Sequence, residues 1–331
     1  MNFLGNVYAT GRNAAPPQLG NALSLFGGSN VGGSVTTSLI PNVSIGSQAV
    51  NGAVALSTVG GNVTATASNS SIRLALAVNA NVGGSVTGIG TNLTDTFTLG
   101  VQGAGIGGNV GGNVTFAAGN SSTGKNFNLN QGTTIGGSAT FIDGNNGGVA
   151  GINGDTLTLD GNVNGSVNLN LGNGVENLEF VQSATGGNIS GNLNIVAGNG
   201  SNLFGAGSNL APFLTGTVGG SANFQLGNGT NNIALNGDTT ATGGFTVGNL
   251  LNIRMGNGSN TVTLKDNTPG TTNIIPLNIT YGHGTNTFVI GAPGDIATAG
   301  NITGTVNFNN GTNTFLDNKY VFTNTINILN L

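Results

Sequence analysis

Short runs along this chain place apolar residues at every second position, and the runs themselves recur. Val114-Thr115-Phe116, Val167-Asn168-Leu169-Asn170-Leu171, Ala222-Asn223-Phe224-Gln225-Leu226 and Val306-Asn307-Phe308 alternate apolar with polar. A period of two is that of a β-strand with one face turned inward and one outward. No stretch sustains the 3.6-residue apolar period of an amphipathic helix, so an all-β chain is predicted.

A recurring phrase precedes these runs: a glycine pair, a polar residue, then an apolar anchor. It reads Gly32-Gly33-Ser34-Val35, Gly60-Gly61-Asn62-Val63, Gly83-Gly84-Ser85-Val86, Gly111-Gly112-Asn113-Val114 and Gly136-Gly137-Ser138-Ala139. Further anchors fall at Val167, Leu193, Ala222, Leu251, Leu277 and Val306, at a mean spacing of about 27 residues. That period lies in the range of solenoids and repeat arrays.

Later repeats add a turn: Gly172-Asn173-Gly174, Gly198-Asn199-Gly200, Gly227-Asn228-Gly229, Gly256-Asn257-Gly258 and Gly282-His283-Gly284. Glycine and asparagine accept the positive φ of a tight corner. A second strand follows, as in Asn260-Thr261-Val262-Thr263-Leu264 and Asn286-Thr287-Phe288-Val289-Ile290. A unit of this length is too short for a strand-helix-strand crossover, and only a parallel coil stacks identical positions of successive repeats. The expected fold is a right-handed parallel β-helix, or β-solenoid, of about eleven coils and roughly 50 Å at about 4.8 Å per coil. Residues 31–331 are assigned to the solenoid; residues 1–30, interrupted by Pro16-Pro17, are assigned to an N-terminal cap or inter-subunit arm.

Composition narrows the function. Only 5% of the 331 residues are charged, 62 are glycine, and the net charge is -4. A hydrophobic share of 37% argues for folding rather than disorder. Without cysteine there is no disulfide framework and no thiolate chemistry. The scattered Arg12, Arg73, Lys125, Arg254, Lys265 and Lys319 make no patch that would neutralise nucleic-acid phosphates. No apolar run reaches the length of a membrane span. The opening residues lack the regions of a signal peptide, so export is expected by a signal-less route or with a leader missing from this sequence.

The turn-plus-strand unit resembles the nonapeptide of RTX proteins, which build calcium-binding parallel β-rolls. Gly227-Asn228-Gly229-Thr230-Asn231-Asn232-Ile233 and Gly256-Asn257-Gly258-Ser259-Asn260-Thr261-Val262 match its latter part. The position of the calcium-ligand aspartate holds Glu176, Asn202, Asn231, Asn260, Asn286 and Asn313. Neutral amides compensate a calcium charge poorly, so no cofactor is expected; Glu176, Asp155, Asp160, Asp238 and Asp266 are the calcium candidates. The composition is also similar to that of bacterial surface-layer and extracellular filament proteins, some of them exported by type I secretion. That resemblance implies an extracellular or cell-surface location.

No catalytic residues are assigned. His283, the single histidine, occupies a corner position, and Glu176 and Glu179 lie three apart on a strand and so on opposite faces. A polysaccharide-active β-helix enzyme is one alternative, resting on Asp155 with Asp160 or Asp238 with Asp266. A second is an adhesin or an ice- or glycan-binding rod displaying threonine ladders. The expected function is structural, with the chain as its own head-to-tail partner and a cell-surface glycan as a further one. Its grounds are the ends: the chain closes on alternating strand residues without a cap, and an open coil templates another chain. The assembly candidates are Phe3, Leu4, Val7, Tyr8, Leu19, Leu23, Leu25 and Phe26 at one end, and Tyr320, Phe322, Ile326, Ile328 and Leu331 at the other.

Overall fold

The computed structural model describes residues 2–11, 22–25, 28–40, 42–46, 56–67, 73–76, 80–90, 95–100, 108–120, 124–145, 155–179, 187–205, 216–235, 245–264, 276–291, 303–317 and 326–331. They form a parallel β-solenoid of three sheets stacked along its axis, with no helix among the described residues. The first sheet has ten strands, from Asn2–Phe3 to Phe245–Val247. The second has thirteen, from Val7–Thr10 to Ile326–Leu329. The third has twelve, from Ala22–Leu25 to Gly311–Asp317. Thirteen strands at about 4.8 Å make a rod of about 58 Å.

The anchors form one column of the second sheet. Val35 pairs in register with Val63, Val63 with Val86, Val86 with Val114, and so on through Ala139, Val167, Leu193, Ala222 and Leu251 to Leu277. All of these anchors are buried. Two corrections apply. The column begins one coil earlier, at Val7, which pairs with Val35. At the other end Leu277 pairs with Gly304, and the expected anchor Val306 pairs with Ile279. A slip of two residues keeps every side chain on its face, so alternation alone does not fix it. Packing does: Phe308 thereby stacks on buried Tyr281 at 4.9 Å.

Strands Asn2–Phe3, Val7–Thr10 and Ala22–Leu25 are the first members of the three sheets, in parallel register with Asn30–Val31, Val35–Ser38 and Asn42–Ile45.

The polar residue of the repeat phrase has a structural task. Asn6 Oδ1 accepts the Ser34 N–H, Ser34 Oγ the Asn62 N–H, and Asn62 Oδ1 the Ser85 N–H, each near 2.8–3.0 Å. The chain of bonds continues through Asn113, Ser138, Ser166 and Asn192 to Ser221. Each side chain satisfies the corner amide of the next coil, which the strands leave unpaired.

Inside, Phe97, Phe116, Phe127 and Phe141 pack between the second and third sheets, with ring centroids 4.2–5.8 Å apart. Gly88 makes room for them, since a Cβ there would overlap the Phe97 and Phe116 rings.

Candidate assembly interface

The inward positions of the third sheet include one polar column. Asn202 pairs in register with Asn231, and the column continues through Asn260 and Asn286 to Asn313; by backbone register Glu176 stands between Asn202 and Asp155. Asn202, Asn231, Asn260 and Asn286 are each 0% exposed. Asn202 Nδ2 donates to Asn231 Oδ1, Asn231 to Asn260 and Asn260 to Asn286 at 2.7–2.9 Å, and Asn286 to Asn313 at 3.0 Å. Each amide also donates to the carbonyl four residues before it, at Gly198, Gly227, Gly256, Gly282 or Asn309. The RTX-like position is thus a directed amide ladder within the core, not an outward ligand set.

Further up the same column the polar groups are ionic. Asp95, Lys125 and Asp155 precede the register-paired Thr96, Asn126 and Thr156 and are almost wholly buried. The Lys125 ammonium lies 2.6 Å from Asp143 Oδ1, and the Lys125 N–H donates to Asp155 Oδ1 at 2.7 Å. Burial, then the hydrogen bond and charge of Asp155, push the Asp143 carboxyl up to about 8, against the lowering effect of Lys125. The Asp143 carboxyl therefore keeps its proton through neutral pH in the folded chain. Asp143 Oδ2 is buried without a hydrogen-bond partner.

This cluster was not expected from sequence. Lys125 and Asp143 are 18 residues apart, and neither lies in a motif. Of the calcium candidates whose side chains are described, Asp155 and Asp160 stand apart. Asp155 is tied to Lys125, and Asp160 lies past the other end of strand Asp155–Leu159, about 16 Å along it. Among the described residues no three His, Cys, Asp or Glu groups gather as metal ligands. Asp238 and Asp266 lie outside the described residues. His283 is exposed at its corner, where its N–H donates to Asn257 Oδ1 as the last member of an outer ladder through Asn173, Asn199 and Asn228.

At the ends, apolar positions lose their cover. Seven hydrophobic residues pack against the core while only partly buried: Phe3, Val7, Ala9 and Leu23 at the N-terminal end, and Phe315, Ile326 and Ile328 at the C-terminal end. Leu4 is 98% exposed, Tyr8 74% and Leu331 66%. Leu25, by contrast, is buried over Ile45. Leu19, Phe26, Tyr320 and Phe322 lie outside the described residues.

The two ends share one phase. Val7 and Ala9 face inward and Tyr8 and Thr10 outward, while Ile326 and Ile328 face inward and Asn327 and Leu329 outward. Extending the columns across a junction sets Ile326 on Val7, Ile328 on Ala9 and Phe315 on Leu23. Asp317 breaks the apolar match: it continues the column of Leu235, Leu264 and Ile290 and would meet Leu25.

Comparison with protein-family models, with curated proteins and with solved structures finds no match to this chain.

Proposed function

We propose that this chain is an extracellular structural subunit whose solenoid stacks head-to-tail on copies of itself, building filaments or a surface or biofilm-matrix layer. The carrying observation is the pair of half-covered ends with their common inward–outward phase. Among the described residues the first and last strands of the second and third sheets each have a strand partner on one side only, and an exposed edge pairs with another chain. A head-to-tail contact is heterologous and does not close on itself, so it propagates. The extracellular reading rests on the charge-poor, cysteine-free composition. Amide and hydroxyl ladders along the rod stabilise it without metal ions, which favours assembly independent of calcium.

Negative-stain microscopy at increasing concentration, with calcium and with chelator, tests the reading. Thin filaments under both conditions support it; separate rods of about 58 Å under every condition overturn it.

One observation favours a binding rod as the second reading. On the outer face of the third sheet Thr230, Ser259, Thr285 and Thr312 form one column, and Asn232, Thr261, Thr287 and Thr314 the next. Co-sedimentation of separate rods with a particulate glycan would mark that role.

A further inference from the structure

The outer face of the second sheet carries an apolar stripe that the stacking of coils does not use. The described residues include nine exposed large hydrophobics, and five of them, Tyr8, Ile89, Ile142, Val196 and Leu329, point outward from this one sheet. The outward positions of the first sheet contribute none, and those of the third only Leu316. Ile89, Ala117, Ile142, Asn170 and Val196 are register neighbours in one column, 40–44% exposed at the three large residues. Beside it runs a column of Thr36, Thr64, Thr87, Thr115 and Thr140. Arg254 is the single charged residue among the described outward positions of this sheet.

We infer that this face is a lateral interface with a second copy of the chain, packed face to face about a two-fold axis. Area supports it: with the two-fold axis set below, ten of the thirteen coils overlap, and about 48 Å of sheet by roughly 13 Å of strand gives about 620 Å² on each partner, at the lower end of specific interfaces, which bury about 1,200–2,000 Å² in total. Periodicity selects the occupant. A second copy repeats at the same coil spacing, so two such faces stay in step wherever they overlap.

Relief agrees, because small Ala117 lies between Ile89 and Ile142 and leaves a gap one coil wide. A two-fold axis between the coils of Ala117 and Ile142 seats Ile142 in the gap over the partner's Ala117, and the reverse contact follows by symmetry. Sparse charge lets the faces meet without burying unpaired ions. The inference is independent of head-to-tail stacking; where both operate, the product is a paired filament or the start of a sheet.

The test uses full-length protein carrying Val7→Asp, which blocks end joining, with and without Ile142→Lys and Val196→Lys. Sedimentation velocity over a concentration series reads dimerisation, and the melting curve confirms that the exposed lysines leave the fold intact. Expected is a concentration-dependent dimer of the Val7→Asp protein that weakens at least about tenfold with both lysines, which place charge in a desolvated contact. A dimer unaffected by the lysines overturns the inference. So do monomers at every concentration, whether or not they sediment with particulate cellulose.

Discussion

At the residue scale the molecule is governed by how it handles polar groups inside a stack. Asn260 donates to Asn286 and to the Gly256 carbonyl while accepting from Asn231, so its amide is used at both ends. Asn260→Ala leaves those partners unsatisfied and is expected to cost about 2–4 kcal/mol. Asn260→Asp is expected to cost more, because a carboxylate cannot donate to Asn286 or Gly256; chemical denaturation of the two variants ranks them. Alternation and the turn motif made this column visible in the sequence, but not the amide-to-amide bonds along it, which exist only once the coils stack. The Asp143–Asp155–Lys125 cluster was not legible, because its partners come together only when coils stack. It sets a pH dependence. Asp143 holds its proton up to about pH 8 in the folded chain but releases it near its ordinary value when unfolded. The stabilisation is therefore full below that ordinary value and declines as pH rises toward 8. Melting temperature is expected to fall between about pH 4 and pH 8, and Asp143→Asn to flatten that fall.

At the scale of the element, corners decide what the strands can do. Gly200, Gly229, Gly258 and Gly284 adopt φ of 125–141°, and a Cβ on any of them would overlap a carbonyl oxygen of the coil above. Gly258→Ala thus meets both a strained backbone and a neighbouring coil that cannot recede. A loss of about 2–4 kcal/mol is expected in denaturant unfolding, against less than about 1 kcal/mol for alanine at the exposed corner residue Asn257. These glycines were recognisable from their spelling, as were the Ser and Asn corner ladder and most of the anchor column. The exceptions were elements at the two ends. Val7–Thr10 lacked the glycine-pair phrase that marked later coils, yet pairs with Val35–Ser38. Gly304 took the anchor place expected for Val306, because a two-residue slip is silent in a period-two pattern.

At the scale of the whole molecule, the proposed head-to-tail stacking rests on the common phase of the two ends. Asp317 opposes that match by setting a carboxylate in an apolar column, and inward charges of this kind restrain edge pairing. Asp317→Leu is accordingly expected to lower the concentration at which filaments appear, by about tenfold, read from light scattering across a dilution series. The most direct test of head-to-tail stacking blocks one end at a time. Val7→Asp disables the N-terminal end and Ile328→Asp the C-terminal end, each at a partly exposed position. With lateral pairing suppressed in both by Ile142→Lys and Val196→Lys, sedimentation velocity compares the two proteins alone and mixed. The account predicts that each alone is a monomer and that an equimolar mixture gives dimers and nothing longer, since one live end of each kind remains. A mixture that stays monomeric, or either protein polymerising by itself, would contradict it.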